Sequence, residues 1–224
     1  MKTVEELLEN NKVTVIGEVT ENFELDHEVH GEKFYRTKLR VDRLSDNSDE
    51  IVVILSERLI EVKYDPTGAL VKVTGQFRSF NKKGADKTRL MLFVFAKDVE
   101  QVDELPFAEE CNQIVLEGNV CKQPTFRKTP LGSSITDINL AVNRLYGRSD
   151  YIPCIAWNAT ARDMSRLLVG DRVKITGRIQ SREYNKKLSD DKIEKRTAYE
   201  VSIFEYDFIR GCEDPEPEAE AVNA

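Results

Sequence analysis

Four aromatic residues, Tyr146, Tyr151, Trp157 and Tyr184, are interleaved with Arg144, Arg148, Arg178, Gln180 and Arg182. On an open β surface, rings at that density can stack on unpaired bases while the cations and amides between them donate to phosphate. Side-chain alternation says which of them can share a surface. Along 151–157, Tyr151, Ile155 and Trp157 fall on one face, and Ile152, Cys154 and Ala156 on the other. The small apolar set reads as core, so the rings point away from it. On the later strand Val173 and Ile175 turn inward, and Lys174, Arg178, Gln180, Arg182 and Tyr184 turn outward. Aromatics favour strands for packing alone, so the set of four, and not any one ring, carries the reading.

The elements that must hold these side chains follow from periodicity. In the second half, strands are expected at 114–120, 135–143, 150–157, 171–180 and 196–204, with a helix from Ala159 to Leu168 capped by Asn158 and ended by Val169-Gly170. Pro153 lies inside a strand and predicts an irregularity there. Asn185 to Lys195 reads as a long polar loop carrying Lys186 and Lys187. In the first half, strands are expected at 13–19, 35–41, 51–55, 70–80 and 89–95, with a helical piece at 56–62 and an Asp65-Pro-Thr-Gly68 turn. Residues 1–10 read as a short amphipathic helix with Thr3 and Glu6 as a capping box.

Three strands, a helix and two strands is the order of an OB barrel, and it occurs twice. Shifted by 101 positions, Asn11, Gly17, Arg43, Asp49 and Ile51 fall on Asn112, Gly118, Arg144, Asp150 and Ile152. With one more residue, Val71-Lys-Val-Thr-Gly75 falls on Val173-Lys-Ile-Thr-Gly177. A period near 100 marks duplicated domains. The expected fold is all-β: two tandem five-stranded Greek-key OB barrels, each with one short helix, over 1–105 and 106–210. The tail 211–224 is acidic and rich in Pro and Ala, and is expected to be disordered.

The stretches Asn112-Gln-Ile-Val-Leu-Glu-Gly118, Phe126-Arg-Lys-Thr-Pro130-Leu-Gly132, Leu140-Ala-Val-Asn-Arg144, Asp150-Tyr-Ile-Pro-Cys-Ile-Ala-Trp157, Gly177-Arg-Ile-Gln-Ser-Arg-Glu-Tyr184 and Arg196-Thr-Ala-Tyr-Glu-Val201 resemble, in order and spacing, the OB fold of bacterial single-stranded-DNA-binding proteins. The resemblance covers 112 to about 205. It implies base stacking at Tyr146, Tyr151, Trp157 and Tyr184, and a non-sequence-specific role in replication, recombination and repair. It also implies a homodimer that brings four barrels together, with replication and repair proteins as partners. Phe126, Arg127, Lys128, Arg144, Arg148, Arg178, Gln180, Arg182, Lys186 and Lys187 complete the expected nucleic-acid surface. Family members commonly end in an acidic tip with a hydrophobic pair; Ala221-Val-Asn-Ala224 does not match it. In the first unit Ser45, Glu50, Ser56 and Lys82 stand where the four rings stand in the second. That unit is therefore expected to be structural, dimer-forming or partner-binding, with secondary nucleic-acid contact along Arg78, Phe80 and Lys82.

The formal charge of −7 is unevenly spread. Residues 1–110 carry 16 basic against 23 acidic side chains, 111–210 carry 17 against 12, and the tail carries five acids and no Lys or Arg. The basic segment is the aromatic one, as a polyanion site requires. No apolar run is long enough to span a bilayer, and the N-terminus lacks a signal-peptide core, so a cytoplasmic, nucleoid-associated protein is expected. Cys111, Cys121, Cys154 and Cys212 show no CxxC pairing, and His27 and His30 read as part of a polar loop, so neither disulfides nor a metal site are expected. No phosphate loop, serine elbow or HExxH is present, which argues for a non-enzyme with no cofactor and no small-molecule substrate. The rival readings are a primosomal replication accessory of the same frame acting through protein contacts, and a scaffold that binds proteins with both barrels.

Overall fold

The computed structural model describes residues 9–45, 47–83, 88–189 and 192–209. Six strands build the first barrel: β1 (Asn11–Val19), β2 (Glu24–Val29), β3 (Glu32–Asp42), β4 (Ser48–Ser56), β5 (Leu70–Lys83) and β6 (Thr88–Gln101). Five build the second: β7 (Asn112–Lys128), β8 (Ser134–Asn143), β9 (Ser149–Trp157), β10 (Arg172–Ser189) and β11 (Lys192–Phe208), with helix α1 (Asn158–Met164) after β9. In each, an antiparallel meander closes through one parallel contact, β4 on β6 and β9 on β11, and the last hairpin returns to the first strand. These are the two tandem OB barrels expected from the repeated pattern. The expected N-terminal helix falls almost wholly outside the described residues, and the acidic tail wholly so.

Alternation decides the core. Val13, Val15, Leu39, Val41, Phe77 and Val94 fill the first barrel, and Ile114, Leu116, Leu140, Val142, Ile152 and Val201 fill the second, within one continuous cluster. The repeated Val-Thr-Gly and Ile-Thr-Gly segments mark a close crossing. A Cβ on Gly75 would lie 2.1 Å from the Phe95 carbonyl oxygen, and one on Gly177 would lie 2.2 Å from that of Ser202. Cys111, Cys121 and Cys154 are free thiols; Cys154 is fully buried, and desolvation pushes its thiol far above the ordinary range.

Four local expectations are corrected. The segment 56–62 is a run of turns closed by Leu59 N to Ser56 O (3.0 Å) and Tyr64 N to Glu61 O (3.1 Å). Leu59 and Ile60 both pack on the core, and the Ser56 hydroxyl takes up the Arg58 N–H. Trp157, extended at φ −121° and ψ 146°, occupies the cap position of α1 in place of Asn158, and the helix stops at Met164. Across Pro153 the β8–β9 register runs unbroken from Ile135↔Trp157 to Asn143↔Ser149. Pairing with β11 begins one residue later, at Cys154, so the missing donor falls at the end of that ladder. Finally, 185–189 and 192–195 are strand where a loop was expected: β10 and β11 pair from Val173↔Phe208 out to Ser189↔Lys192, an arm on which Lys195 and Glu183 pair at 2.6 Å.

The barrels are joined back to back. β1 and β7 pair antiparallel, Val13 opposite Ile114, inside one eleven-stranded sheet. Beside this ladder the repeated polar residues make two matching nodes. Arg43 Nε donates to Asp49 at 2.8 Å, while Asp49 also accepts from the Ser181 N–H at 2.6 Å and Arg43 donates to the Ser181 carbonyl at 3.0 Å. In the mirror arrangement Arg144 Nε donates to Asp150 at 2.6 Å and its Nη2 to the Ser79 carbonyl at 2.8 Å; the Ser79 N–H is held by Asp150. Arg178 adds a contact to Asp49 at 3.2 Å, and Arg78 one to Asp150 at 3.8 Å. Both carboxylates are 1% exposed. Removing one partner of such a buried pair strands the other. Asp150→Asn and Asp49→Asn should therefore each cost about 3 kcal/mol or more in chemical denaturation; a loss below about 1 kcal/mol would contradict the role given to the nodes.

Candidate nucleic-acid interface

The outer surface of the second barrel begins with β9. Its inward residues Ile152, Cys154 and Ala156 are buried, and the opposite face carries Tyr151, 51% exposed, and Trp157, 38% exposed. Six residues of strand separate these rings by about 20 Å. Ile155, between them on the same face, is buried, beside Ser202 of β11 and Asp137 of β8. Tyr184 stands on the outer face of the β10 arm, 37% exposed. Tyr146 lies in the short 3₁₀ turn Leu145–Gly147 between β8 and β9; its side chain is outside the described residues, as are those of Lys186 and Lys187 on the β10 arm.

The expected cations divide into two groups. Arg182 and Lys128 on their strands and Arg148 in the β8–β9 connection are exposed and make no ion pair among the described residues. Arg127 is exposed but bonded twice to Asp137, at 2.7 and 3.1 Å. Arg144 and Arg178 belong to the seam between the barrels, half-buried against Asp150 and Asp49, so they are not free for phosphate. Burial lowers the pKa of the Arg178 guanidinium, neighbouring Arg43 adding to the effect while Asp49 opposes it. Arg78 of the first barrel is held in the same way. Gln180 is buried too, its amide donating to Glu200 at 2.6 Å.

Strand alternation also separates two neighbours that the sequence groups together. Arg127, Ile135 and Trp157 form one cross-strand row, whereas Phe126 pairs with Thr136 and Lys128 with Ser134. Thr136 is fully buried with its hydroxyl on the Ala161 carbonyl of α1. Phe126, 44% exposed, and Lys128 thus lie on the opposite side of β7 from Arg127.

The sequence reading named Phe80 on the first barrel but missed the rings around it. The row equivalent to Arg127–Ile135–Trp157 is His27–Phe34–Ser56, in which His27 stacks on Phe34 with centroids 4.8 Å apart. Phe95 follows at 5.7 Å, and Phe93 meets Phe80 edge-on at 5.9 Å. His27 therefore belongs to strand β2, not to a loop; His30 is in the β2–β3 turn. The signal was available: Phe93 and Phe95 alternate with Leu92, Val94 and Ala96, which are core.

The model of the single-strand binding protein family matches residues 111–209. Single-stranded DNA-binding protein 2 of Listeria innocua is 35% identical over 80 residues, 33% of this chain and 50% of that protein, so the chain spans about half the length of this relative. Single-stranded DNA-binding protein B of Bacillus subtilis is 35% identical over 80 residues, 33% of this chain and 71% of that protein. Among solved structures, a deletion variant of the single-stranded DNA binding protein from Thermus aquaticus superposes with a TM-score of 0.73 at 23% identity, covering 92% of this chain and 98% of that one, a likeness of fold. With a relative 35% identical matched over 71% of its length, the chain belongs to the single-strand binding protein family.

Proposed function

We propose that this protein binds single-stranded DNA with little sequence preference and covers it during replication, recombination and repair, acting by binding and not by catalysis. The observation that carries the reading is the exposed outer face of the second barrel, where Trp157, Tyr151 and Tyr184 share the surface with Arg182 and Arg148, which make no ion pair among the described residues. Bases offer a π-face whatever their identity, so stacking on three rings is tolerant of sequence. Phosphates are taken by the exposed cations, with Lys186 and Lys187 of the β10 arm contributing. Phe126 and Lys128, on the other side of β7, extend the surface around that edge. The first barrel is the structural half that holds the second through the seam. Two chains associate, giving four barrels, and other replication and repair proteins act on the coated strand. The site of action is the cytoplasm, at the nucleoid; among the described residues no helix is long and apolar enough to cross a membrane.

Trp157 is the only tryptophan, so stacking has a direct signal: its fluorescence should be quenched by oligothymidylate. Loss of one stacking ring costs about 1–3 kcal/mol, so Trp157→Ala should weaken binding about ten-fold or more. A change below two-fold would make Trp157 a packing residue only. Arg182→Gln and Arg148→Gln should each flatten the dependence of log affinity on log salt by about 0.7. Arg144→Gln should instead lower stability; equal flattening by Arg144→Gln would overturn the division of the cations. Solution mass should be twice the 25.7 kDa of one chain, and a monomer at micromolar concentration would refute the dimer.

A further inference from the structure

We propose that the first barrel carries a second base-stacking station, Phe80 with Phe93, and that the strand leaving Tyr151 crosses the seam onto it, its phosphates taken between Lys82 and Arg89. This inference rests on the proposed function and extends it to a face that, by correspondence of positions, had lost its rings.

Phe80 is 44% exposed on the outer face of β5, and Phe93 of β6 supports it edge-on at 5.9 Å, with the ring planes 67° apart. A ring braced by another ring keeps one face open while losing little side-chain freedom when a base settles on it. One step along the same face, Lys82 of β5 lies directly opposite Arg89 of β6. Both are exposed, and neither makes an ion pair among the described residues. Like charges directly opposite on adjacent strands destabilise a ladder. An anion between them removes that repulsion, which makes the pair a phosphate seat beside a stacking ring.

The position of Phe80 fixes what it receives. Its neighbour Ser79 accepts the Tyr151 N–H on its hydroxyl at 2.8 Å and the Arg144 guanidinium on its carbonyl at 2.8 Å. The backbone of Tyr151 is thus bonded to the residue next to Phe80, which joins the start of β9 to the strand that carries the station. The station is not a relic of the duplication. Phe80 stands five residues after Gly75, and the residue five after Gly177 in the second barrel is Arg182. The two barrels therefore place a ring and a cation at the same point of the fold, and together they form one longer track of rings and cations. Arg78, between Phe80 and Gln76 on the same face, is spent on Asp150 and is no part of the station.

The test uses the full chain and two oligothymidylates, one of about 8 nucleotides, within the roughly 4–16 that one OB fold covers, and one of about 35, beyond the reach of a single fold. Phe80→Ala should leave affinity for the shorter oligomer within two-fold and weaken the longer about five-fold or more, whereas Trp157→Ala should weaken both. The double variant Lys82→Gln, Arg89→Gln, at two exposed positions, should flatten the salt dependence for the longer oligomer alone, by about 1.4 for two phosphates. Should Phe80→Ala fail to fold, that double variant decides. If the first-barrel variants leave the longer oligomer unaffected while Trp157→Ala still acts, the station is refuted and the proposed function stands. If Trp157→Ala acts on neither oligomer, the proposed function itself falls.

Discussion

Two buried carboxylates hold the molecule together. Asp49 and Asp150 sit near the starts of β4 and β9, and each accepts a backbone N–H from a serine in the other barrel, Ser181 and Ser79. Taking a carboxylate out of water is costly unless its oxygens are satisfied. Here each is satisfied by an arginine of its own barrel, a backbone donor from across the seam and a second arginine from that same neighbour. Those contacts orient the two hairpin arms, β5–β6 and β10–β11, each laid against the other barrel. Every exposed ring discussed above stands on, or beside, a strand located by one of these two nodes.

The same nodes explain what a reader of the sequence could and could not extract. The 101-residue shift brought out Asn11 and Asn112, Arg43 and Arg144, and Asp49 and Asp150 as repeated residues, but not why they repeat. Asn11 clasps the peptide at Phe77, donating to its carbonyl and accepting its N–H at 2.8 Å each; Asn112 does the same at Ile179. They prolong a ladder by one step past the end of the paired strands. Arg178 was read as a phosphate ligand because an arginine among aromatics looks alike whether its carboxylate partner is absent or lies more than a hundred residues away; Arg144 was read so although its partner Asp150 lies only six residues on. Arg178 meets Asp49 at a separation of 129 residues. Local sequence contains nothing of that distance.

What alternation could settle, it did. The inward set on β9, the outward rings, and the core valines and isoleucines all follow from period two. Its failures are also physical. Phe126, Arg127 and Lys128 were grouped as neighbours in sequence, yet consecutive strand residues face opposite ways, and Arg127 alone shares the Trp157 row. The first barrel was read as lacking the four stacking rings, with Phe80 kept as a secondary contact, because the four family positions hold Ser45, Glu50, Ser56 and Lys82. Further rings stand on neighbouring strands instead, Phe34 opposite Ser56, and Phe93 and Phe95 on β6. Correspondence of positions detects a missing ring; it does not detect one on the strand beside it.

If the outer sheet face of the second barrel is where nucleic acid lies, its rings must touch bases. Ultraviolet cross-linking of the intact protein to oligothymidylate, with the adducts located by mass spectrometry, reads this directly. The adducts should fall on Trp157, Tyr151 and Tyr184. Adducts confined to the opposite side of the barrel, around α1, would place the strand elsewhere and contradict the account.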